Sequence, residues 1–364
     1  MSDDPIRPIP SQQPPTVFIC RDHALDDVLD GIAIALRSRG TQVLRGPASH
    51  PGTLLDYPHD GLQELFGNVD AAIFSSRSRC TRAVMMAAPR LRAIVNPTIG
   101  LETIDLEAAN DLGIIVGHGA FPENFESMAE ASVMLMLNLL YNLRASEDVL
   151  AGRRPKPAPG AEHAMARMMK HSTIGLLGLG RIGRAVAHRL HPFGARLLAY
   201  SPSLTAETAP QGVLPVGLDE LLVSSDIVGV FVAITDGSRR ILDRAALAKL
   251  KPGAFIVNVA RGAAIDEQAL VEVLQERRIA GAALDTFEVE PLPAHSPLRS
   301  LSNVILTPHM VGHTREAYEA IPRTALQNIL NVLAGEPPVH CKNPEILQRW
   351  HGRLSAIAAR DASD

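Results

Sequence analysis

Three short stretches of this chain each set an ionisable side chain beside a turn-forming residue. VNVARGAAIDE (257–267) puts Arg261 next to Gly262, ALDTFEVEPLP (283–293) puts Glu290 before Pro291, and ILTPHMVGHT (305–314) puts His309 after Pro308. Each stretch contains an apolar run that reads as a buried strand, so all three residues are expected just past strand carboxyl ends. In a parallel α/β sheet those ends face the ligand crevice, and an Arg, a carboxylate and an imidazole can converge there. Arg offers a planar fork to a carboxylate, and a His backed by Glu is a general acid/base. His309 and His313 stand four residues apart, but an H-E-x-x-H glutamate and a third ligand are both missing, so no metal is expected.

A fourth stretch points to a cofactor. Gly178-Leu-Gly-Arg-Ile-Gly183 is a G-x-G-x-x-G that follows an apolar strand and opens a helix. Its glycines permit a tight turn and let a pyrophosphate lie on backbone N–H groups at the helix N-terminus. The next strand ends in LLAYSPSL (197–204), where the fingerprint expects an acidic residue for the ribose; Ser201 stands there instead. A carboxylate at that point repels a 2′-phosphate, so its absence lifts the bar against NADP(H). No Arg or Lys follows in PSLTAET to neutralise the phosphate. The reading is NAD(H) or NADP(H), with a lean to NADP(H).

The elements that must carry these residues form two alternating series. VFIC (17–20), TQVLRG (41–46), AAIFSS (71–76), LRAIVN (91–96) and GIIVG (113–117) read as buried strands with helices between them. From Ser172 a second strand–helix alternation runs to NVILTP, and residues 314–333 form an amphipathic helix. The expected architecture is α/β, with two doubly wound parallel-sheet domains. Between them ESMAEASVMLMLNLLYNLRASEDVLAG (126–152) reads as one long helix, apolar on nearly every face. Such a helix is either a central core helix or a connector that packs on a second subunit. GRRPKPAPG (152–160) is expected to be exposed, residues 1–15 to be a flexible arm, and 347–364 a surface tail.

Bulk composition limits the function classes. Hydrophobic residues make up 46% and charged residues 20%, as in ordinary globular proteins. A net charge of −4 gives no footprint for nucleic acid. No apolar run approaches the roughly 20 residues of a membrane span, and the N-terminus lacks a secretory h-region. Cys20, Cys80 and Cys341 are widely spaced and read as reduced thiols of a cytoplasmic protein. The Met residues at 165, 168 and 169 read as core or interface filler, and His118 and His340 as structural or surface groups.

These blocks and their order closely resemble the D-isomer-specific 2-hydroxyacid dehydrogenase family. The resemblance runs from about Ala71 to Leu347 and includes GLGRIGRAVAHRLHPFGARLLAY, MAEASVMLMLNLL (128–140) and GEPPVHCKNPE (335–345). It implies a Rossmann dinucleotide-binding domain (125–319) inserted in a flavodoxin-like substrate domain (16–124 and 320–346). It also implies a homodimer formed through the apolar helix near 126–150. The family's catalytic Arg, Glu and His fall on Arg261, Glu290 and His309, and its nicotinamide-contacting Asp on Asp285. Arg181 and Ile182 match its pyrophosphate-loop pair. The implied cofactor-binding set is completed by Gly178, Gly180, Gly183, Ser201, Val259, Ala260 and Gly312.

The implied activity is NAD(P)-dependent hydride transfer between a small 2-oxo acid and its D-2-hydroxy acid, with glyoxylate or hydroxypyruvate as the first expectation. NPTIGLE (96–102) matches the loop whose N–H groups hold the substrate carboxylate, through Ile99 and Gly100; Thr98 replaces the loop's usual first glycine. Arg77 and Arg79 in FSSRSRCT (74–81) resemble the Arg-Ser-Arg of phosphoglycerate dehydrogenases. They either meet a second anionic group or form a solvated surface pair. Two alternatives stay open. A formate dehydrogenase shares the architecture and an Asn resembling Asn124, but carries Gln where Glu290 stands. A dinucleotide-sensing, corepressor-type binding protein retains the same site.

Overall fold

A computed structural model describes residues 14–158 and 165–362. Most of the expected arm (1–15) lies outside the described residues, as do residues 159 and 160 of the proline-rich stretch, whose residues 152–158 are exposed. The chain divides into two compact units, Met1–Pro122 with Arg315–Asp364, and Glu123–Thr314. The junctions therefore fall slightly before the expected 124/125 and 319/320.

In the first unit, strands β1 (Thr16–Ile19), β2 (Gln42–Arg45), β3 (Ala71–Ile73), β4 (Ala93–Asn96) and β5 (Ile115–His118) form a parallel sheet in the order β2-β1-β3-β4-β5. That is the flavodoxin-like order. The central strands are buried on both faces, which is why they read as unbroken apolar runs rather than alternating ones. Helices α1 (Asp26–Arg37), α2 (Leu62–Phe66), α3 (Arg82–Met86), α4 (Leu106–Leu112) and α11 (Arg315–Leu333) surround one core that includes Phe18, Phe66 and Phe74.

The expected surface tail (347–364) is, over residues 347–361, a docked helix, and residues 363 and 364 lie outside the described residues. Helix α12 (Leu347–Asp361) turns Trp350 fully into this core, with its indole N–H donating to the Arg92 carbonyl at 2.9 Å. Arg353 donates to the carbonyls of Leu91, Leu112, Ala88 and Pro89, and Asp361 pairs with Arg90. A buried indole together with satisfied carbonyls docks the helix.

The second unit holds β6 (Thr173–Leu177), β7 (Arg196–Tyr200), β8 (Val213–Pro215), β9 (Ile227–Val230), β10 (Phe255–Asn258), β11 (Gly281–Leu284) and β12 (Val304–Leu306). All pairings are parallel, in the order β12-β11-β10-β9-β6-β7-β8. The order reverses between β6 and β9, and that switch point is where such sheets bind ligands. Helix α7 (Arg181–Leu190) follows β6, while α8 (Leu218–Ser224), α9 (Arg244–Ala248) and α10 (Glu267–Gln275) follow later strands.

The expected single helix over 126–152 is broken. Asn142 adopts φ +48° and divides α5 (Pro122–Tyr141) from α6 (Leu143–Leu150). Asn enters the left-handed region more easily than most residues, so the chain can turn there without Gly or Pro. Buried Ala129, Leu135, Met136 and Leu140 tie α5 to the core, whereas α6 buries no residue.

Candidate active site

The glycine loop runs from the end of β6 into α7. Gly178 has φ +96°, and a Cβ there would lie 2.8 Å from the Phe231 carbonyl carbon after β9. A Cβ on Gly183 would lie 2.4 Å from the Gly178 oxygen, so helix and turn can pack only with glycine at both points. Gly180 differs: a Cβ there would meet nothing within 4 Å. The space before the first N–H groups of α7 is thus open, and the residues present fit a bound pyrophosphate. Arg181 lays its guanidinium over the Phe125 ring at 5.2 Å, Ile182 is half-buried, and Val259 lies buried after β10 with Ala260 half-buried beside it.

Ser201 follows β7 directly and is half-buried. Gly178 N–H donates to the Tyr200 carbonyl at 2.8 Å, which places Ser201 against the glycine loop. A cation does border this segment, but it comes from the helix rather than from the residues after Ser201. Arg184 directs Nη1 and Nη2 to the Thr208 carbonyl at 3.2 and 3.3 Å. Inspection of PSLTAET alone could not find it, because Arg184 lies upstream in α7.

The ionisable residues lie on three adjacent loops of the same unit. After β10, buried Asn258 accepts the Ala260 N–H at 3.0 Å and donates to the Arg261 carbonyl at 3.0 Å, forming a side-chain-closed turn that presents Arg261. Gly262 seals this turn against the next loop, since a Cβ on it would overlap the Phe287 carbonyl carbon at 1.9 Å. In that next loop Phe287 N–H donates to Glu290 Oε1 at 3.0 Å, and Glu290 Oε2 meets His309 Nδ1 at 2.7 Å. Burial pushes the Glu290 carboxyl up, but its bond to His309, the Phe287 N–H and the Arg261 charge outweigh that and hold it below the ordinary carboxylate range. The structure thus joins Glu290 to His309 and brings the Arg261 charge to the pair.

Asp285 is buried at 2% exposure and accepts from Thr307 Oγ1, Met310 N–H and Val311 N–H. Ser127 Oγ donates to the carbonyls of Asn124 and Gly312, at 3.0 and 2.9 Å, so those two predicted residues share one anchor. Sequence reasoning missed Asn258, Ser127 and Thr307. An Asn two residues before a loop N–H is a turn signal that could have found Asn258, while the partners of Ser127 and Thr307 are remote in sequence. Among the described residues no group of three or more His, Cys, Asp or Glu is placed to hold a metal ion.

The other predicted residues belong to the first unit. Arg77 Nη1 lies 3.1 and 3.2 Å from the two oxygens of fully buried Asp22, and Arg79 pairs with Asp56 at 3.4 Å. Arg77 is therefore partly committed to neutralising a buried carboxylate. Thr98 is absorbed by Asn96, which accepts its N–H and hydroxyl at 2.8 and 2.9 Å and donates to the Gly100 carbonyl at 2.7 Å. Thr98, Ile99 and Gly100 are all half-buried.

A doubly wound sheet with an open glycine loop and a bonded Glu–His pair on adjacent loops has the form of a nicotinamide-dependent oxidoreductase. A family model described as "D-isomer specific 2-hydroxyacid dehydrogenase, NAD binding domain" matches residues 133–311. Glyoxylate reductase of Thermofilum pendens is 36% identical over 299 residues, which cover 79% of this chain and 86% of that protein. D-3-phosphoglycerate dehydrogenase of Methanocaldococcus jannaschii is 37% identical over 298 residues, 80% of this chain but 55% of that longer protein. Among solved structures, a glyoxylate reductase from Paecilomyes thermophila gives a TM-score of 0.78 at 25% identity, covering 91% of this chain and 99% of the other. The chain belongs to the D-2-hydroxyacid dehydrogenase family and uses a nicotinamide dinucleotide.

Proposed function

We propose that this enzyme interconverts a small 2-oxo acid and its D-2-hydroxy acid, with glyoxylate or hydroxypyruvate as the first substrates to try. The Glu290–His309 pair at 2.7 Å beside Arg261 carries the reading, and the relationship to glyoxylate reductases supports the substrate class. A bound nicotinamide supplies or accepts the hydride at substrate C2. In the reducing direction, protonated His309 gives the proton on Nε2 to the carbonyl oxygen, because Glu290 holds Nδ1. Glu290 fixes the ring and favours its charged form. Arg261 binds the substrate carboxylate as a fork and polarises the carbonyl. Ile99 and Gly100 are assigned to the same carboxylate, Asn124 to substrate, and Arg77 and Arg79 to a second anionic group. For Arg77 that last role competes with Asp22.

For the cofactor, Ser201 in place of an acid and Arg184 at the following segment support use of NADP(H). Placing Asp at Ser201 is expected to shift the ratio of catalytic efficiencies toward NADH, and an unchanged ratio would put discrimination elsewhere. The free thiols of Cys20, Cys80 and Cys341 support a reducing, cytoplasmic setting. No described helix is long and apolar enough to cross a membrane. A homodimer through α5 and α6 is supported by apolar side chains exposed there, Met134, Tyr141, Leu143 and Leu150. The deciding experiment is a panel of 2-oxo acids assayed side by side with NADH and NADPH. Oxidation of neither cofactor by any acid overturns the reading and favours a dinucleotide-sensing protein.

A further inference from the structure

We propose that Thr307 is a positioning residue for His309, acting through Asp285. His309 has φ +55°, a left-handed conformation that a residue carrying a Cβ holds only when its surroundings enforce it. The enforcing contacts are visible on both sides. Before His309, Thr307 N–H donates to the Leu284 carbonyl at 3.0 Å, and Thr307 Oγ1 donates to Asp285 Oδ1 at 2.7 Å. After it, Met310 and Val311 donate their N–H groups to the same Oδ1 at 3.0 and 3.2 Å. One buried carboxylate oxygen thus gathers donors from both flanks of the histidine and closes the loop around it.

Asp285 is itself fixed, because it follows β11 and its N–H donates to the Asn258 carbonyl at 2.9 Å. Among the described residues the Thr307 hydroxyl is the one side-chain donor to Oδ1, and its bond is the shortest of the three. Without that hydroxyl the carboxylate can rotate about its own bond. Oδ1 then leaves the line of the Met310 and Val311 N–H groups, and the loop loses what holds His309 in its unfavourable conformation. The imidazole then moves off Glu290. Asp285 Oδ2 takes no part in these bonds, so the clamp is compatible with the nicotinamide contact assigned to this residue by resemblance.

The inference rests on the acid/base role proposed for His309, and the test separates the two. Thr307→Val keeps the shape and removes the hydroxyl; Thr307→Ser keeps the hydroxyl. With the 2-oxo acid that wild type reduces best, Thr307→Val is expected to lower kcat at least tenfold with KM within about threefold of wild type. Thr307→Ser is expected to restore most of kcat. An independent readout is carbethoxylation of His309 by diethylpyrocarbonate, followed by peptide mass spectrometry. Its rate should rise several-fold in Thr307→Val and stay near wild type in Thr307→Ser. Equal losses in both variants, a loss confined to dinucleotide Kd, or an unchanged modification rate in Thr307→Val each overturns the clamp. Wild type that turns over no acid overturns the enzyme reading, and the modification rates still decide the clamp.

Discussion

His309 meets Glu290 through Nδ1, which leaves one ring nitrogen for the proton exchange proposed for it. Replacing His309 by Ala removes that group without touching the glycine loop. Turnover is expected to fall roughly 10²–10⁴-fold, the usual worth of one acid/base residue, while dinucleotide affinity measured by fluorescence titration stays the same. A variant that keeps wild-type turnover would remove His309 from the chemistry. Glu290 gives a pH signature. Its folded carboxyl is held below the ordinary range of about 4.3, so ionisation favours the folded state. That contribution is complete above the ordinary range and is lost as pH falls through the folded value. Glu290→Gln should therefore be less stable than wild type in urea unfolding at neutral pH, with the gap closing in strong acid. A gap that widens on acidification would reverse the assigned direction. Because Glu290 is about one-third exposed (35%), solvent screening keeps the gap small.

At the scale of elements, α12 carries its core-facing pattern in full. LQRWHGRLSAIAARD buries Trp350 and Ile357, and partly buried Leu347 and Leu354 pack against the core that holds Trp350. The four recur at i, i+3, i+7 and i+10, an apolar stripe present in the sequence although a surface tail was expected there. The helix seats a large indole in the first unit's core. Trp350→Ala is expected to destabilise that unit by about 3–5 kcal/mol, seen as a lowered unfolding midpoint. A shift below about 1 kcal/mol would return α12 to the surface. The central strands of both sheets were legible because doubly covered parallel strands are unbroken apolar runs. β8 escaped notice because VLP is three residues ending in Pro. The break at Asn142 was hidden because no Gly or Pro marks it. Arg261, Glu290 and His309 could be read from their places after strands, whereas the Asp285–Thr307 bond joins residues 22 apart in sequence and only the finished sheet brings β11 beside β12.

For the whole molecule, α6 raises the question of what covers it. Its sequence is amphipathic yet it buries nothing, and Leu143 and Leu150 are 53% and 91% exposed. Seven residues apart, they share one helix face, and Tyr141 and Met134 of α5 add further exposed apolar surface. An isolated exposed Leu is ordinary, but a contiguous apolar face is a mark of association. A second copy is the occupant that the family resemblance implies, and a symmetric pair would set this face against its equivalent. Sedimentation equilibrium is expected to give twice the chain mass for wild type. The double variant Leu143→Lys and Leu150→Lys should shift the population to monomer at micromolar concentration, because burying two ammonium groups in a self-complementary patch sets like charges against each other. These positions contribute nothing to either core, so circular dichroism of the variant should match wild type. A wild-type monomer, or a variant that remains dimeric, would separate α6 from the subunit interface.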